Sequence, residues 1–282
     1  MNDKTTYDKL DRLKTILRTS GGCAVAFSGG VDSTFLLTVA REVLGERCLA
    51  VIATSSTYPE RERDQAVGFV EKRGIPHEVI VSEELDIPGF SENPRDRCFH
   101  CKSELFRKVR ERSDARGLPW IVDGANADDT RDYRPGMRAA RELGVRSPLL
   151  EAGLTKEDIR TLSREVYHLP TADKQSMACL ASRFPYGSAI TREKLGQVER
   201  IEEFLERRGF RVFRARHHGD VLRLELGSDE IETILRADVR KEVSAFAKEQ
   251  GFVYITLDLD GYRTGSMNEQ PGVENGRSAV TV

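Results

Sequence analysis

Hydrophobic positions along the chain follow two rhythms. Between residues 23 and 122, short apolar runs alternate with longer stretches whose apolar residues recur every three or four positions, the pattern of a parallel sheet covered by helices. The runs predict strands at 23–27, 48–53, 78–81 and 120–122, and the stretches between them predict helices at 33–44, 60–73 and 102–113. The first of these helices is apolar nearly all round, as a buried helix is. Glu60 stands three residues after Thr57, the spacing of a capping box, and Thr155 is placed to cap a further helix. From residue 190 the order becomes a helix (191–208), two strands (211–217 and 221–226), helical sequence (229–250) and a last strand (252–258). His218-Gly219-Asp220 between the two strands is a hairpin signal. The expected fold is therefore α/β, a doubly wound parallel sheet over residues 1–187, with a smaller α+β domain at 188–282. Residues 264–276 are turn-rich.

Composition narrows the classes of function. With 44 Lys+Arg against 46 Asp+Glu the formal charge is -2, which removes the broad basic footprint of a general nucleic-acid binder. The longest apolar runs, such as 48–53, fall far short of the ~20 residues of a membrane span. Residues 1–19 are charged and helically spaced, unlike a signal peptide. A cytoplasmic protein is expected. The five cysteines are an odd number, which favours thiol chemistry or metal binding over a disulfide framework.

Ala26-Phe27-Ser28-Gly29-Gly30-Val31-Asp32-Ser33 follows the first strand and opens a helix. Two glycines let the main-chain N–H groups turn inward, the helix adds the positive end of its dipole, and Ser28 and Ser33 add hydroxyls, so the loop is built to hold an anion. It is neither a Walker A loop nor a dinucleotide fingerprint. The segment resembles the PP-loop of the ATP pyrophosphatases, enzymes that cleave ATP between the α and β phosphates, adenylate a substrate oxygen and let a nucleophile displace AMP. The resemblance implies that Ser28, Gly29, Gly30, Asp32 and Ser33 hold the leaving pyrophosphate with Mg2+. Asp123-Gly124-Ala125-Asn126-Ala127-Asp128-Asp129 is also similar to a family segment, which makes Asp128 a candidate nucleotide-site residue. The same segment reads equally as a polar turn capped by its own Asn and Asp.

Cys23 and Cys48 fall in predicted core strands, where cysteine acts as a small hydrophobe. Cys98-Phe99-His100-Cys101 opens a predicted helix, where amides and dipole favour thiolates, and Cys179 lies far downstream. A Cys-x-x-Cys is half of a zinc site, with His100 or His168 as further ligands, or a redox pair; three thiolates can also hold three irons of a four-iron cluster and leave the fourth open.

The text around Cys179, Lys174-Gln175-Ser176-Met177-Ala178-Cys179-Leu180-Ala181-Ser182-Arg183-Phe184-Pro185-Tyr186-Gly187, narrows the resemblance. Taken with 132–136, Arg214-Ala215-Arg216-His217-His218, Asp260-Gly261-Tyr262-Arg263-Thr264-Gly265 and the terminal 278–282, it resembles the LarE family of ATP-dependent sulfur transferases of nickel-pincer cofactor synthesis over nearly the whole chain. That resemblance implies adenylation of a carboxylate of pyridinium-3,5-biscarboxylic acid mononucleotide, then displacement of AMP by sulfur to give a thiocarboxylate. In one branch a cysteine at the position of Cys179 surrenders its own sulfur and becomes dehydroalanine. In the other, three cysteines hold a 4Fe-4S cluster whose open iron carries added sulfide. With Cys98, Cys101 and Cys179 all present, the cluster type is expected, and these are the candidate catalytic and metal-ligating residues.

Arg214, Arg216 and His218 alternate on one strand and so share a face, and paired guanidiniums suit a phosphate. With Arg263 they are the candidates for the substrate phosphate, the alternative being a cationic face paired with Glu225 or Glu202. Those two carboxylates are also candidates for a metal, or are simply solvated. The charge runs 61–64 and 107–112 read as solvated faces, and Met177 and Phe184 as packing. Expected partners are the small pyridinium mononucleotide and further copies of the chain, a hexamer by resemblance, with no nucleic acid and no membrane. A cluster-dependent tRNA thiolase and an ATP-sensing module that does not cleave its nucleotide are the competing readings.

Overall fold

A computed structural model describes residues 3–131, 135–175, 178–263 and 266–268. Asp132, Tyr133, Arg134, Ser176, Met177, Thr264, Gly265 and 269–282, which include several of the motif positions above, lie outside the described residues. The chain divides into two compact units, one of residues 1–90 and 94–178, the other of 91–93 and 179–282. The division falls directly before Cys179, whereas the sequence places its boundary after residue 187.

The first unit runs α1 (Asp3–Ser20), β1 (Cys23–Ala26), α2 (Val31–Leu44), β2 (Cys48–Thr54), α3 (Glu60–Lys72), β3 (His77–Val81), α4 (Arg97–Ala115), β4 (Trp120–Val122), α5 (Pro135–Glu142), α6 (Pro148–Ala152) and α7 (Lys156–Glu165). Its strands form one parallel sheet in the order β3-β2-β1-β4. Both faces are covered, which explains why the strands read as unbroken apolar runs. Cys23, Val25, Ala50 and Ile52 face a core shared with Phe35, Leu36 and Leu37 of α2 and Leu13 and Leu17 of α1. The intervening Ala24, Leu49 and Val51 face Phe106 and Val109 of α4. Each of the large α2 side chains is fully buried and contributes about 1.5–3 kcal/mol. This is the doubly wound α/β sheet that the hydrophobic pattern predicts. Its chain order reverses at β1, with β2 on one side and β4 on the other, so the loops after β1 and β4 emerge side by side at the carboxyl end, where such folds bind ligands.

The second unit runs α8 (Arg192–Arg207), β5 (Phe213–His218), β6 (Val221–Leu226), α9 (Ile231–Leu235), α10 (Ala237–Glu249) and β7 (Tyr254–Leu257). Its sheet has the order β5-β6-β7, with β5 antiparallel and β7 parallel to β6. Gly219 (φ 67°) turns the hairpin as expected.

Three local expectations are corrected. Thr57 does not cap α3; that helix starts after Pro59 without a side-chain cap, and the Thr57 hydroxyl donates to Glu84 at 2.9 Å. α4 starts at Arg97, ahead of the predicted 102, so Cys98 and Cys101 lie within the helix; packing carries its weakly helical first turn, with the Arg138 guanidinium of α5 3.9 Å from the Phe99 ring. The helical stretch 229–250 is cut at Arg236, whose extended backbone (ψ 137°) separates α9 from α10.

Candidate functional site

β1 delivers the chain into the loop Phe27–Gly30, and Gly30 in extended conformation caps α2. Thr34 makes the first helical bond, to the Gly30 carbonyl at 2.9 Å. The N–H groups of Gly29, Gly30, Val31, Asp32 and Ser33 have no acceptor among the described residues. These donors and the positive end of the buried α2 form an anion nest. Ser28 and Ser33 sit on it with their hydroxyls 3.1 Å apart. Gly29 is required twice, by its φ of 63° and because a Cβ there would lie 3.0 Å from the Ala66 Cβ of α3.

Groups that sequence reasoning did not single out hold the loop. Tyr58 donates to the Ser28 carbonyl at 2.6 Å, and burial, with Glu62 nearby, pushes its phenol well above the ordinary range. The Lys174 ammonium reaches the Gly29 carbonyl at 3.2 Å, Gln65 at 3.0 Å and Glu62 at 2.6 Å. Glu62 is buried, which corrects the reading of 61–64 as a wholly solvated run. Lys156 pairs with Asp32 at 2.5 Å, while the other Asp32 oxygen is buried with no partner among the described residues. The Lys156 main-chain N–H donates to Asp128 at 2.8 Å, so Asp32, Lys156 and Asp128 are linked across α2, the loop after β4 and α7. The turn reading of that loop also holds, because Asn126 accepts from the Asp128 N–H and Asp129 from the Asn126 N–H. Gly124 lets the loop approach, since a Cβ there would lie 3.1 Å from the Ser33 nitrogen. A Gly after an apolar strand was the available signal.

Cys98 and Cys101, three residues apart on the first turn of α4, are exposed and half-buried respectively. The Cys101 thiol donates to Glu84 at 3.5 Å, and burial holds the Glu84 carboxyl above its ordinary range against its hydrogen bonds. Thr57 and Glu84 follow β2 and β3, so the thiol lies toward the carboxyl end of the sheet that carries the phosphate loop. Two soft donors on one helical turn suit a thiophilic metal. Among the described residues, however, no group of three or more His, Cys, Asp or Glu side chains is arranged to hold one.

Half-buried Cys179 belongs to the second unit. Its carbonyl accepts from Arg183, which is completely buried and makes a two-pronged pair with Glu202 of α8 at 2.9 and 2.8 Å. Burial opposes both charges, yet the facing partner outweighs it, holding Arg183 high and Glu202 low. Glu202 also accepts from the Ala215 N–H of β5 at 3.1 Å. Arg216 pairs with Glu225 at 2.6 Å and donates to the Ser182 carbonyl at 3.1 Å and the Ser266 hydroxyl at 3.0 Å. Arg214 is buried, its guanidinium 4.8 Å from the Tyr262 ring, and burial together with Arg183 pulls its pKa down. Arg263 is exposed and pairs with Asp260 at 3.2 Å. The second unit thus gathers the Cys179 turn, Arg183, Arg214 and Arg216. Glu202 and Glu225 are the counter-charges of buried arginines rather than solvated side chains. Sequence signalled Glu202 by its place on the apolar stripe Leu195, Val198, Ile201, Leu205 of α8. Phe184 is buried and stacks on His217, as packing residues do.

No family model matches the chain. An uncharacterised protein of Synechocystis sp. is 39% identical over 260 residues, 92% of this chain and 97% of that protein. The pyridinium-3,5-bisthiocarboxylic acid mononucleotide synthase of Lactiplantibacillus plantarum is 35% identical over 246 residues, 87% of this chain and 88% of that enzyme. One subunit of the glutamine-hydrolysing GMP synthase of Thermoplasma volcanium is 24% identical over 218 residues, 71% of this chain and 69% of its own length.

Proposed function

Because the chain belongs to the LarE family of pyridinium-3,5-bisthiocarboxylic acid mononucleotide synthases, we propose that it is an ATP-dependent sulfur transferase acting on the corresponding biscarboxylic acid mononucleotide. The observation that carries the ATP half is the nest of N–H groups from Gly29 to Ser33 at the helix N-terminus, which have no acceptor among the described residues. In the first step a substrate carboxylate oxygen attacks the α phosphorus of ATP, the bond to the β-phosphate oxygen breaks, and pyrophosphate leaves into the nest with Ser28 and Ser33. Asp32 has one buried oxygen with no partner among the described residues, a donor that Mg2+ would take, and Asp128 is linked to Asp32 through the main chain and side chain of Lys156. In the second step a sulfur nucleophile attacks the acyl carbon and AMP departs with the bonding electrons, leaving a thiocarboxylate. Adenylation is necessary because a carboxylate oxygen is a poor leaving group and AMP a good one. Arg214, Arg216 and Arg263 are assigned to the substrate phosphate. Arg216 also pairs with Glu225 and Arg263 with Asp260, so a bound phosphate would share these guanidiniums with carboxylates already in place.

Cys98, Cys101 and Cys179 are the residues that would hold a 4Fe-4S cluster, and such a group would supply an open iron able to carry sulfide. The thiol pair on α4 supports this reading, since a chain that gave up the sulfur of Cys179 would not need it. The second reading, in which Cys179 itself is the sulfur donor, needs only that one half-buried thiol. Incubation with ATP and the biscarboxylic substrate tests the proposal: substrate-dependent pyrophosphate release and a product heavier by one sulfur-for-oxygen exchange are expected. Pyrophosphate release without substrate, or none at all, would overturn it.

A further inference from the structure

β7 is the open edge of the second unit's sheet. Tyr254 and Asp258 donate their N–H groups to Asp220 and Leu224 on the β6 side, at 3.1 and 2.8 Å. In a parallel strand, alternate residues turn both main-chain groups the same way, so those of Ile255 and Leu257 point outward. Neither residue makes a hydrogen bond on that side among the described residues. Elsewhere the edges are guarded: Lys108 donates to the Val81 carbonyl of β3 at 2.7 Å, and Glu202 accepts from Ala215 of β5.

The side chains around β7 are also left uncovered by the described residues. Leu235 (54% exposed), Val253 (53%), Tyr254 (64%) and Leu259 (90%) are four of the eight exposed large hydrophobic residues among those described. On the α10 face lies a groove of about 620 Å³ with Ile234, Ile255 and Leu257 among its apolar wall and Arg240, Lys241 and Lys248 along it. None of these three cations has an ion pair or a side-chain hydrogen bond among the described residues. Apolar surface on both faces of an unpaired edge, with uncompensated positive charge on one of them, calls for a strand rather than a helix or a small ligand.

We propose that the outer edge of β7 docks an extended segment of a partner protein in which acidic and aliphatic residues alternate. Its acidic side chains would lie on the α10 face, their stems on the groove wall and their carboxylates at Arg240, Lys241 and Lys248; its aliphatic side chains would cover Tyr254 on the other face. A second copy of this chain fits less well. Two-fold pairing of β7 with itself keeps each face on its own side, so it sets like charges of the two α10 helices together. It also turns Leu257 and Leu259, rather than Asp258 and Asp260, toward them.

The probe is a fluorescein-labelled heptapeptide of alternating Glu and Leu, titrated with the full chain and followed by anisotropy. Saturable binding is expected, weakening as salt is added and falling about tenfold or more in Lys241→Glu/Lys248→Glu. Ile255→Pro, which removes an outward N–H without touching the β6 ladder, should weaken binding comparably while the far-UV circular dichroism stays that of wild type. No saturable binding, or equal binding by wild type and both variants, overturns the proposal. So does a wild-type dimer in sedimentation that Ile255→Pro dissolves, which would give the edge to a second copy. Binding seen only after removal of residues 269–282 would give it to the chain's own end and would equally overturn it.

Discussion

Gly29 shows how much can rest on one missing methyl group. Gly29→Ala forces a side chain into a left-handed backbone at a cost of about 1–2 kcal/mol and presses it against Ala66. If that strain falls on the ATP-holding geometry, kcat/KM for ATP drops about tenfold, and steady-state pyrophosphate release measures it. The cysteines separate by role in the same way. Cys179→Ala is expected to abolish thiocarboxylate formation under either sulfur source, whereas Cys98→Ala should do so only if the thiols act as a set. Anaerobically reconstituted protein should show broad absorbance near ~400 nm and about four irons per chain, both lost in Cys98→Ala. Stoichiometric zinc would return the pair to a structural role. Arg183 and Glu202 make a stability prediction, since both are buried and each is the other's counter-charge. Glu202→Gln should lower unfolding stability in urea by about 3–5 kcal/mol, and the double change Arg183→Met/Glu202→Leu should recover much of it.

At the scale of elements, α7 is held by its first turn. Thr155 and Asp158 form a reciprocal capping box, and Asp158 also accepts from Thr6 and Lys9 of α1, both at 2.6 Å. Burial alone would raise the Asp158 pKa; Lys9, Thr6 and Thr155 outweigh it and hold the carboxyl well below its ordinary range. A folded pKa below the unfolded one means stability that is fully present above about pH 4 and is lost as pH falls toward the depressed value. Asp158→Asn should therefore cost about 0.5–2 kcal/mol near neutral pH, and the gap to wild type should close in acid, as urea midpoints at about pH 6 and about pH 2 would show.

Across the whole molecule, local chemistry was legible where neighbours along the chain decide the outcome. The parallel sheet, the Thr155 cap, the hairpin at Gly219 and the anion loop all follow from periodicity and turn residues. What escaped depends on groups far apart in sequence. Lys174 lies 145 residues from the Gly29 carbonyl it holds, and Lys156 lies 124 residues from Asp32. Thr57 has the spacing of a cap, but its hydroxyl finds a better acceptor in Glu84, which only the sheet brings near. Pairing of the β5 arginines with Glu225 or Glu202 was legible as an alternative from the strand alternation, and Arg216 does pair with Glu225. That Glu202 is taken by Arg183, and that these pairs are buried, shows only once the turn after Cys179 is folded onto α8.

Intact-mass spectrometry of the polypeptide before and after several turnovers with ATP, substrate and added sulfide tests the sulfur-transfer account most directly. Delivery from a site made by Cys98, Cys101 and Cys179 predicts more than one product per chain and an unchanged mass. A single product per chain, with the loss of about 34 Da at Cys179 that marks dehydroalanine, would contradict it.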